Sequence, residues 1–193
     1  MKIDKMKNNK KENTKKIYIL LTRLPDYVSH TLGVIKQSYY THASIGLEED
    51  LNTFYTFAYK GFRIENIDWY VKKERDFPCT LYELKVNEHV YNETRDKLHH
   101  FAANKQEYSY SFVGVILGLL KIPHKFKNKY FCSQFVSEIL KDCNIVELHK
   151  PSSTFFPGDV RKVKDAKLVV RGSMKSLLEL LPDLPGSKKV YYR

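Results

Sequence analysis

The sequence predicts an α+β fold in which helices pack on a mostly antiparallel sheet. Short segments alternate apolar and polar residues with the two-residue period of a strand, whereas three longer segments follow the helical period. A short polar connection between the second and third strands favours an antiparallel hairpin. The chain has 193 residues, of which 42% are hydrophobic, and this is enough for one domain with a buried core.

Residues 17–23, 41–47, 52–60 and 80–86 carry the strand pattern, and residues 61–65 are expected to be extended or irregular. The second of these strands alternates between small polar and apolar side chains. One of its faces carries His42, Ser44 and Gly46, and the other carries Ala43, Ile45 and Leu47.

Two segments in the middle of the chain have helical character. Residues 87–105 have helical spacing and begin at Asn87, a good N-cap residue. Residues 111–121 are apolar almost throughout, which predicts a buried helix that ends before Pro123.

Residues 131–143 form a third predicted helix, with an apolar face and a polar face. The residues expected to point inward are Phe135, Val136, Ile139 and Leu140, and those expected to point outward are Ser137, Glu138 and Lys141.

Three further segments have weaker patterns. Residues 26–37 are either helical or irregular. Near the C-terminus, residues 167–170 are a candidate strand and residues 173–181 are a candidate short helix.

The first 16 residues are strongly basic. They hold seven lysines against two acidic residues, and so contribute +5 of the net charge of +11. Such a segment is expected to be a flexible, solvated tail, which leaves residues 17–193 as the single domain. The tail could make weak contact with nucleic acid or an anionic membrane surface, although keeping the protein in solution is the simpler alternative. No motif that reads nucleic-acid bases is evident.

The sequence predicts a cytoplasmic protein. The apolar run after the lysines is too short for a secretory signal, and residues 112–120 fall short of the ~20 apolar residues of a membrane span. Cys79, Cys132 and Cys143 form no CxxC pair, so reduced thiols are expected rather than disulfides or a zinc site. The histidines lack metal-ligand spacing, and no cofactor is expected.

Cys132 is the candidate nucleophile because it opens a predicted helix. The helix dipole and the free backbone N–H groups at that position favour the thiolate and lower the pKa of the thiol. The same groups, including the N–H of Cys132, could hold an oxyanion. His42 is the best-placed base, since it lies on a strand among small residues. From the residues alone, the alternative that Cys132 is a small buried hydrophobe stays open.

Two motifs resemble a known superfamily. They are Tyr40-Thr41-His42-Ala43-Ser44-Ile45 and Tyr130-Phe131-Cys132-Ser133-Gln134-Phe135-Val136. Both are similar to signatures of the circularly permuted, NlpC-type papain-like superfamily, and most of all to the YiiX/YaeF-like proteins and related Firmicute proteins. In that group the histidine strand precedes the cysteine helix. Two further short motifs match Tyr55-Thr56-Phe57 and Pro157-Gly158-Asp159. The resemblance covers about residues 17–160 and implies a permuted papain-like fold.

The resemblance implies Cys132 as nucleophile and His42 as base, and it leaves the third polar residue open. Thr56 occupies the place where relatives often have a carboxylate or an amide, and Glu65 competes with it. Threonine can accept a hydrogen bond but cannot stabilise an imidazolium by charge. The residues expected to contact substrate beside this pair are Tyr40, Ser44, Ser133 and Gln134.

The implied activity is that of a thiol hydrolase or acyltransferase, which acts on an amide, peptide or acyl-ester bond through a Cys132 thioester. The substrate would be a small molecule, a peptide or a lipid-linked acyl group. The alternative is a catalytically silent papain-like scaffold that binds nucleic acid or anionic membrane through its basic tail and surface. The lysines before Cys132 either bind an anionic substrate or form a solvated loop; they are Lys121, Lys125, Lys127 and Lys129.

Overall fold

The computed structural model describes residues 14–24 and 39–183, and its main feature is a six-stranded antiparallel sheet. The strands are β1 (Thr14–Thr22), β2 (His42–Leu47), β3 (Asp50–Ala58), β4 (Gly61–Asn66), β5 (Pro78–Asn87), β6 (Ser109–Tyr110), β7 (Lys129–Tyr130) and β8 (Lys167–Ser173). The large sheet has the order β4-β3-β2-β1-β5-β8, and every neighbouring pair is antiparallel. Strands β6 and β7 form a separate parallel pair. The predicted α+β class is confirmed. The prediction for residues 26–37 lies outside the described residues.

Five α-helices accompany the strands in the described residues. They are α1 (Ile67–Lys72), α2 (Glu88–Ala103), α3 (Phe112–Leu119), α4 (Cys132–Asp142) and α5 (Met174–Leu180). Helices α2 to α5 lie within the four predicted helical segments. The sequence pattern does not predict α1, which has only six residues and is too short to display a helical period. Short 3-10 turns complete the connections, among them Ser152–Thr154 and Pro157–Lys162.

The sheet separates two apolar clusters. Ala43 and Ile45 of β2 belong to the first cluster, together with Phe135 of α4. Phe54 of β3 and Tyr70 of α1 belong to the second cluster, on the other face. Because strand residues alternate between faces, the polar residues of β2 project away from the first cluster. The predicted alternation of this strand is therefore confirmed.

Strand β1 begins earlier than predicted and takes in the end of the basic segment. Lys15 and Lys16 are strand residues that pair with β5. The ammonium of Lys15 lies 3.0 Å from Glu48, and that of Lys16 lies 2.9 Å from Glu83. The sheet therefore includes two of the lysines that the sequence pattern assigns to a solvated tail.

Helix α3 lies on the surface, which corrects the prediction of a buried helix. The side chains of Phe112, Val113 and Ile116 are 53%, 56% and 57% exposed. Glycine explains this placement, because a Cβ atom at Gly118 would come within 2.8 Å of the Ser153 carbonyl oxygen. The inner face therefore has no room for large side chains. The buried residues of α3 are Gly114, Val115 and Gly118. No helix in the described part of the chain is long and apolar enough to cross a membrane.

Helix α4 is more deeply buried than its pattern indicates. Its four predicted apolar residues all lie in the core. Ser137, predicted to face outward, is instead fully buried. Its hydroxyl donates to the Gln134 carbonyl oxygen at 2.9 Å, so the polar group is satisfied within the helix itself. The prediction for Ser137 is therefore wrong.

We expect Asn87→Ala to destabilise the protein by about 1 kcal/mol, because the Asn87 side chain caps α2 by accepting from the Val90 N–H at 2.9 Å. Urea denaturation monitored by circular dichroism measures this loss. Asn92→Ala, within the same helix, is the control and should not destabilise the fold, since alanine is the better helix former. Equal losses in the two variants would contradict a capping role.

Candidate active site

The first residue of β2 and the first residue of α4 meet in the structure. The side chains of His42 and Cys132 lie close enough for each to shift the pKa of the other. Both are buried, with 5% and 7% of their surfaces exposed. Phe131 occupies the N-cap position and provides no side-chain cap, so it does not compete for the backbone N–H groups at the start of α4. Backbone hydrogen bonds from Ala43 and Ser133 reach Cys132.

Glu65 holds the other side of the imidazole ring. Its Oε2 lies 3.1 Å from His42 Nε2, and both residues are buried. The Tyr70 hydroxyl donates to Glu65 Oε1 at 2.9 Å, and Arg63 Nε lies 3.3 Å from the same oxygen. Because Nε2 faces the carboxylate, Nδ1 is the ring nitrogen left for Cys132. The ring is therefore oriented between a thiol and a carboxylate.

These three groups shift one another's pKa values. Burial raises the pKa of Cys132, but the hydrogen bond with His42, the charge of His42 and the backbone hydrogen bonds outweigh burial, and the pKa is lowered. Burial acts to lower the pKa of His42, yet the charge of Glu65, aided by the hydrogen bonds to Cys132 and Glu65, raises it. Burial raises the pKa of Glu65, but the charge and the hydrogen bond of His42 lower it. Arg63 and Tyr70 add to the lowering of this pKa. The arrangement favours a thiolate, an imidazolium and a carboxylate in a row.

The other two cysteines have the opposite environment. Burial raises the pKa of Cys79 to about 12, and the nearby charge of Asp76 acts in the same direction. Burial also raises the pKa of Cys143. All three thiols are free. Cys132 is therefore distinguished from the other two by its partners rather than by its burial.

Tyr110 is a member of this site that the sequence pattern does not predict. Burial raises its pKa, and the charge of Cys132 raises it further. The residue is placed by the parallel bridge between Tyr110 and Tyr130, two positions before Cys132. A single tyrosine in a two-residue strand has no signal of its own in the sequence. The electrostatic effect of Cys132 on its pKa places Tyr110 in the neighbourhood of the candidate nucleophile.

The Thr56 side chain contacts the backbone of β2 rather than the ring of His42. Its hydroxyl donates to the Ala43 carbonyl oxygen at 2.7 Å, and the residue is fully buried. The bond ties β3 to β2 next to His42. Of the two alternatives for the third residue, Glu65 is the one whose side chain bonds the ring of His42.

The four residues expected to contact substrate are all buried, and two of them belong to α4. The Ser133 hydroxyl donates to the Phe155 carbonyl oxygen at 2.7 Å. The Gln134 amide donates to Glu138 at 3.0 Å, one turn further along the helix. Both side chains are therefore engaged in holding the fold around the start of α4.

The other two expected contact residues are Tyr40, two positions before β2, and Ser44 within it. The hydroxyls of Tyr40 and Thr80 share a hydrogen bond, so this tyrosine also holds the fold. The side-chain oxygen of Ser44 has no hydrogen-bond partner in the described structure. Ser44 therefore differs from the other three, whose polar groups are bonded within the protein.

The segment Pro157-Gly158-Asp159 supports the start of α4 from a distance. Asp159 accepts a hydrogen bond from the Phe156 N–H at 2.8 Å and pairs with Lys150 at 2.6 Å. The ring of Phe156 stacks on Phe131, with centroids 5.7 Å apart. The aspartate thereby fixes a turn that packs against the N-cap residue of α4.

A groove of about 1000 Å³ lies away from the cysteine and histidine, at the C-terminal end of α4. Its lining includes Lys125, Lys141 and Lys164, and none of the site residues. No group of three or more His, Cys, Asp or Glu residues in the described part of the chain could hold a metal ion.

No protein-family model, no curated protein and no solved structure matches the chain.

We expect Glu65→Gln to destabilise the protein by about 3 kcal/mol near neutral pH, because it removes one partner of the buried His42–Glu65 ion pair. The folded-state pKa of Glu65 is lowered. Its stabilisation is therefore present above the ordinary value of about 4.3 and is lost as the pH falls through the folded-state value. Urea denaturation of both proteins at a series of pH values should show the difference shrinking in acid. Asp96→Asn, at an exposed site, is the control. A difference that is independent of pH would contradict the buried ion pair.

The two candidates for the third residue can be separated by the thiolate titration of Cys132. Glu65→Gln should raise the pKa of Cys132. Without the carboxylate, His42 holds its proton less strongly, and a neutral imidazole stabilises the thiolate less than an imidazolium does. Thr56→Val should leave that pKa unchanged and cost about 1 kcal/mol of stability, since it removes the hydrogen bond to Ala43. The ultraviolet absorbance of the thiolate, followed against pH, measures the first effect. A rise in Thr56→Val and none in Glu65→Gln would reverse the assignment.

Proposed function

We propose that the protein is a cysteine-dependent hydrolase or acyltransferase that acts on an amide, peptide or acyl-ester bond. The observation that carries this proposal is the contact series from Cys132 through His42 to Glu65. A helix N-terminus, a neighbouring imidazole and a buried carboxylate together favour the reactive thiolate. Neither Cys79 nor Cys143 has such partners within the described structure.

In the first step, the Cys132 thiolate attacks the carbonyl carbon of the substrate and forms a C–S bond. The carbonyl oxygen takes the electron pair of the C=O π bond and becomes an oxyanion. When this tetrahedral adduct collapses, the bond to the leaving nitrogen or oxygen breaks. His42 gives its proton to that leaving group, which departs as an amine or an alcohol. The product on the protein is a thioester.

In the second step, neutral His42 takes a proton from the molecule that will accept the acyl group. This acyl acceptor then attacks the thioester carbon. Water as acceptor gives a carboxylic acid, whereas an amine or a hydroxyl gives a transferred acyl group. The C–S bond breaks and the thiolate returns, with His42 protonated again. Glu65 acts as a positioning residue, since it contacts the ring and compensates its charge.

Oxyanion stabilisation is assigned to donors around the sulfur. The N–H groups at the start of α4, including that of Cys132, are free of intrahelical partners and suit a developing negative charge. The Tyr110 hydroxyl is a further candidate, because a tyrosine hydroxyl can donate a hydrogen bond and the charge of Cys132 acts on this residue.

The order of elements supports a permuted papain-like assignment as part of this proposal. His42 lies in β2 and precedes Cys132, which opens α4. Glu65 reaches the ring from β4, two strands away across β3. The same order, histidine strand before cysteine helix, is the one that the sequence motifs suggest.

The test is the pH dependence of iodoacetamide alkylation at each cysteine, read by peptide mass spectrometry. An ordinary thiol has a pKa of about 8.5, whereas Cys132 should titrate well below that value. His42→Ala should raise its apparent pKa towards the ordinary value and slow alkylation in mildly acidic buffer about tenfold or more, because the thiolate loses its hydrogen-bonded cation.

His99→Ala is the matched control, since His99 is an exposed histidine on α2. Cys79 and Cys143 serve as internal references with raised pKa values. The comparison uses the shape of each pH profile rather than absolute rates, because the three thiols differ in accessibility. If Cys132 titrates like Cys143, or does not respond to His42→Ala, the enzyme proposal fails and the silent-scaffold alternative takes its place.

A further inference from the structure

Helix α3 and the residues after it present large apolar side chains to solvent. We call this surface the α3 face; it consists of Phe112, Val113, Ile116, Leu120 and Ile122, which are 53%, 56%, 57%, 64% and 49% exposed. A surface helix normally turns such residues inward and its polar residues outward. Contiguous exposed apolar patches of this kind mark interaction sites.

The helix is fixed in this orientation by its small residues. Gly114 lies against Phe131, and Gly118 lies so close to the turn at residues 153–156 that a Cβ atom there would meet a carbonyl oxygen at 2.8 Å. On the opposite side, residues at intervals of four form one stripe. The members of that stripe are Phe112, Ile116 and Leu120. Their exposure is thus a consequence of how the inner face packs.

The chain around the α3 face carries charge of one sign. Residues 108–137 contain four lysines and no aspartate or glutamate. The four lysines are all exposed, and they are Lys121, Lys125, Lys127 and Lys129. Lys125 pairs with Glu138 of α4 at 3.0 Å. Among the residues that the structure describes, the other three lysines form no ion pair within 4.0 Å.

We propose that the α3 face docks the protein on an anionic lipid bilayer. Large apolar side chains beside lysines are the composition of helices that lie in the membrane interface, where the apolar groups enter the acyl region and the lysines meet anionic headgroups. An eight-residue helix is about 12 Å long, far too short to cross a bilayer but suited to lying in its plane.

The same features favour a lipid surface over a protein partner. Four of the five side chains are more than half exposed, so they project from the surface. All the charged side chains of residues 108–137 are lysines, whereas a protein interface usually pairs charges of both signs at its rim. A bilayer of anionic lipids complements both the apolar stripe and the lysines.

The inference concerns binding and goes beyond the proposed reaction. It uses none of the groups that would take part in catalysis. The Cys132→Ser variant should therefore bind lipid as well as the wild type does. This separates a failure of the docking proposal from a failure of the proposed enzyme activity.

The experiment is co-sedimentation of the full chain with vesicles of phosphatidylglycerol mixed with phosphatidylcholine, compared with vesicles of phosphatidylcholine alone. We expect the wild type and Cys132→Ser to bind the anionic vesicles and to bind the neutral ones much more weakly. Leu120→Glu should reduce the partition coefficient about tenfold or more, because it removes an inserted apolar group and adds a repelled charge. Lys127→Gln should reduce it about fivefold.

Leu168→Glu is the matched control. Leu168 is also an exposed leucine, 45% accessible, but it lies on β8 rather than beside α3, so this variant should bind like the wild type. The proposal is overturned if the wild type does not bind anionic vesicles. It is also overturned if Leu120→Glu and Leu168→Glu bind equally, since binding would then come from another basic part of the chain. A third outcome would also overturn the proposal. If the protein does not bind vesicles but forms dimers in light scattering, and only Leu120→Glu dissociates them, the face binds a second copy of the chain.

Discussion

The hydrogen bond between His42 and Glu65 is the contact on which the candidate site depends. At 3.1 Å it fixes the imidazole by Nε2 and leaves Nδ1 for Cys132. It also places a negative charge where a buried imidazolium requires one, because an unpaired buried cation would instead lose its proton. Tyr70 and Arg63 then hold the carboxylate in place. Without this carboxylate, burial would act against both charges of a thiolate–imidazolium pair.

The contact between His42 and Glu65 depends on the alignment of β2, β3 and β4. Glu65 of β4 lies opposite Phe54 of β3. Regular pairing of β3 with β2 extends only from Ile45 onward, whereas the beginning of β2 pairs with β1 on its other side. The Thr56 hydroxyl, bonded to the Ala43 carbonyl, connects β3 to this part of β2. A residue that resembles a catalytic candidate in the sequence thus contributes by holding the strand that carries the histidine.

Much of the sheet and the helix spacing could be predicted because both follow from periodicity. The alternation around Ile45 and the cap at Asn87 depend only on near neighbours in the chain, and the structure contains both. The choice between Glu65 and Thr56 as partner of the histidine could not be made from the sequence. It depends on tertiary contacts: the Thr56 hydroxyl bonds the Ala43 carbonyl, and Glu65 bonds the ring. Tyr110 could not be predicted for a similar reason, since a two-residue parallel bridge positions it.

The inner face of α3, which carries its two glycines, is constrained by packing, whereas the outer face is not. Gly118 is constrained by a backbone oxygen of a neighbouring turn, whereas Ile116, two residues earlier, has more than half of its surface in water. Because polar replacement of the outer residues would remove few internal contacts, folding alone gives no reason to retain them. Their presence has a consequence for colloidal behaviour: at high concentration in plain buffer, the protein should adhere to itself and to hydrophobic surfaces through this helix.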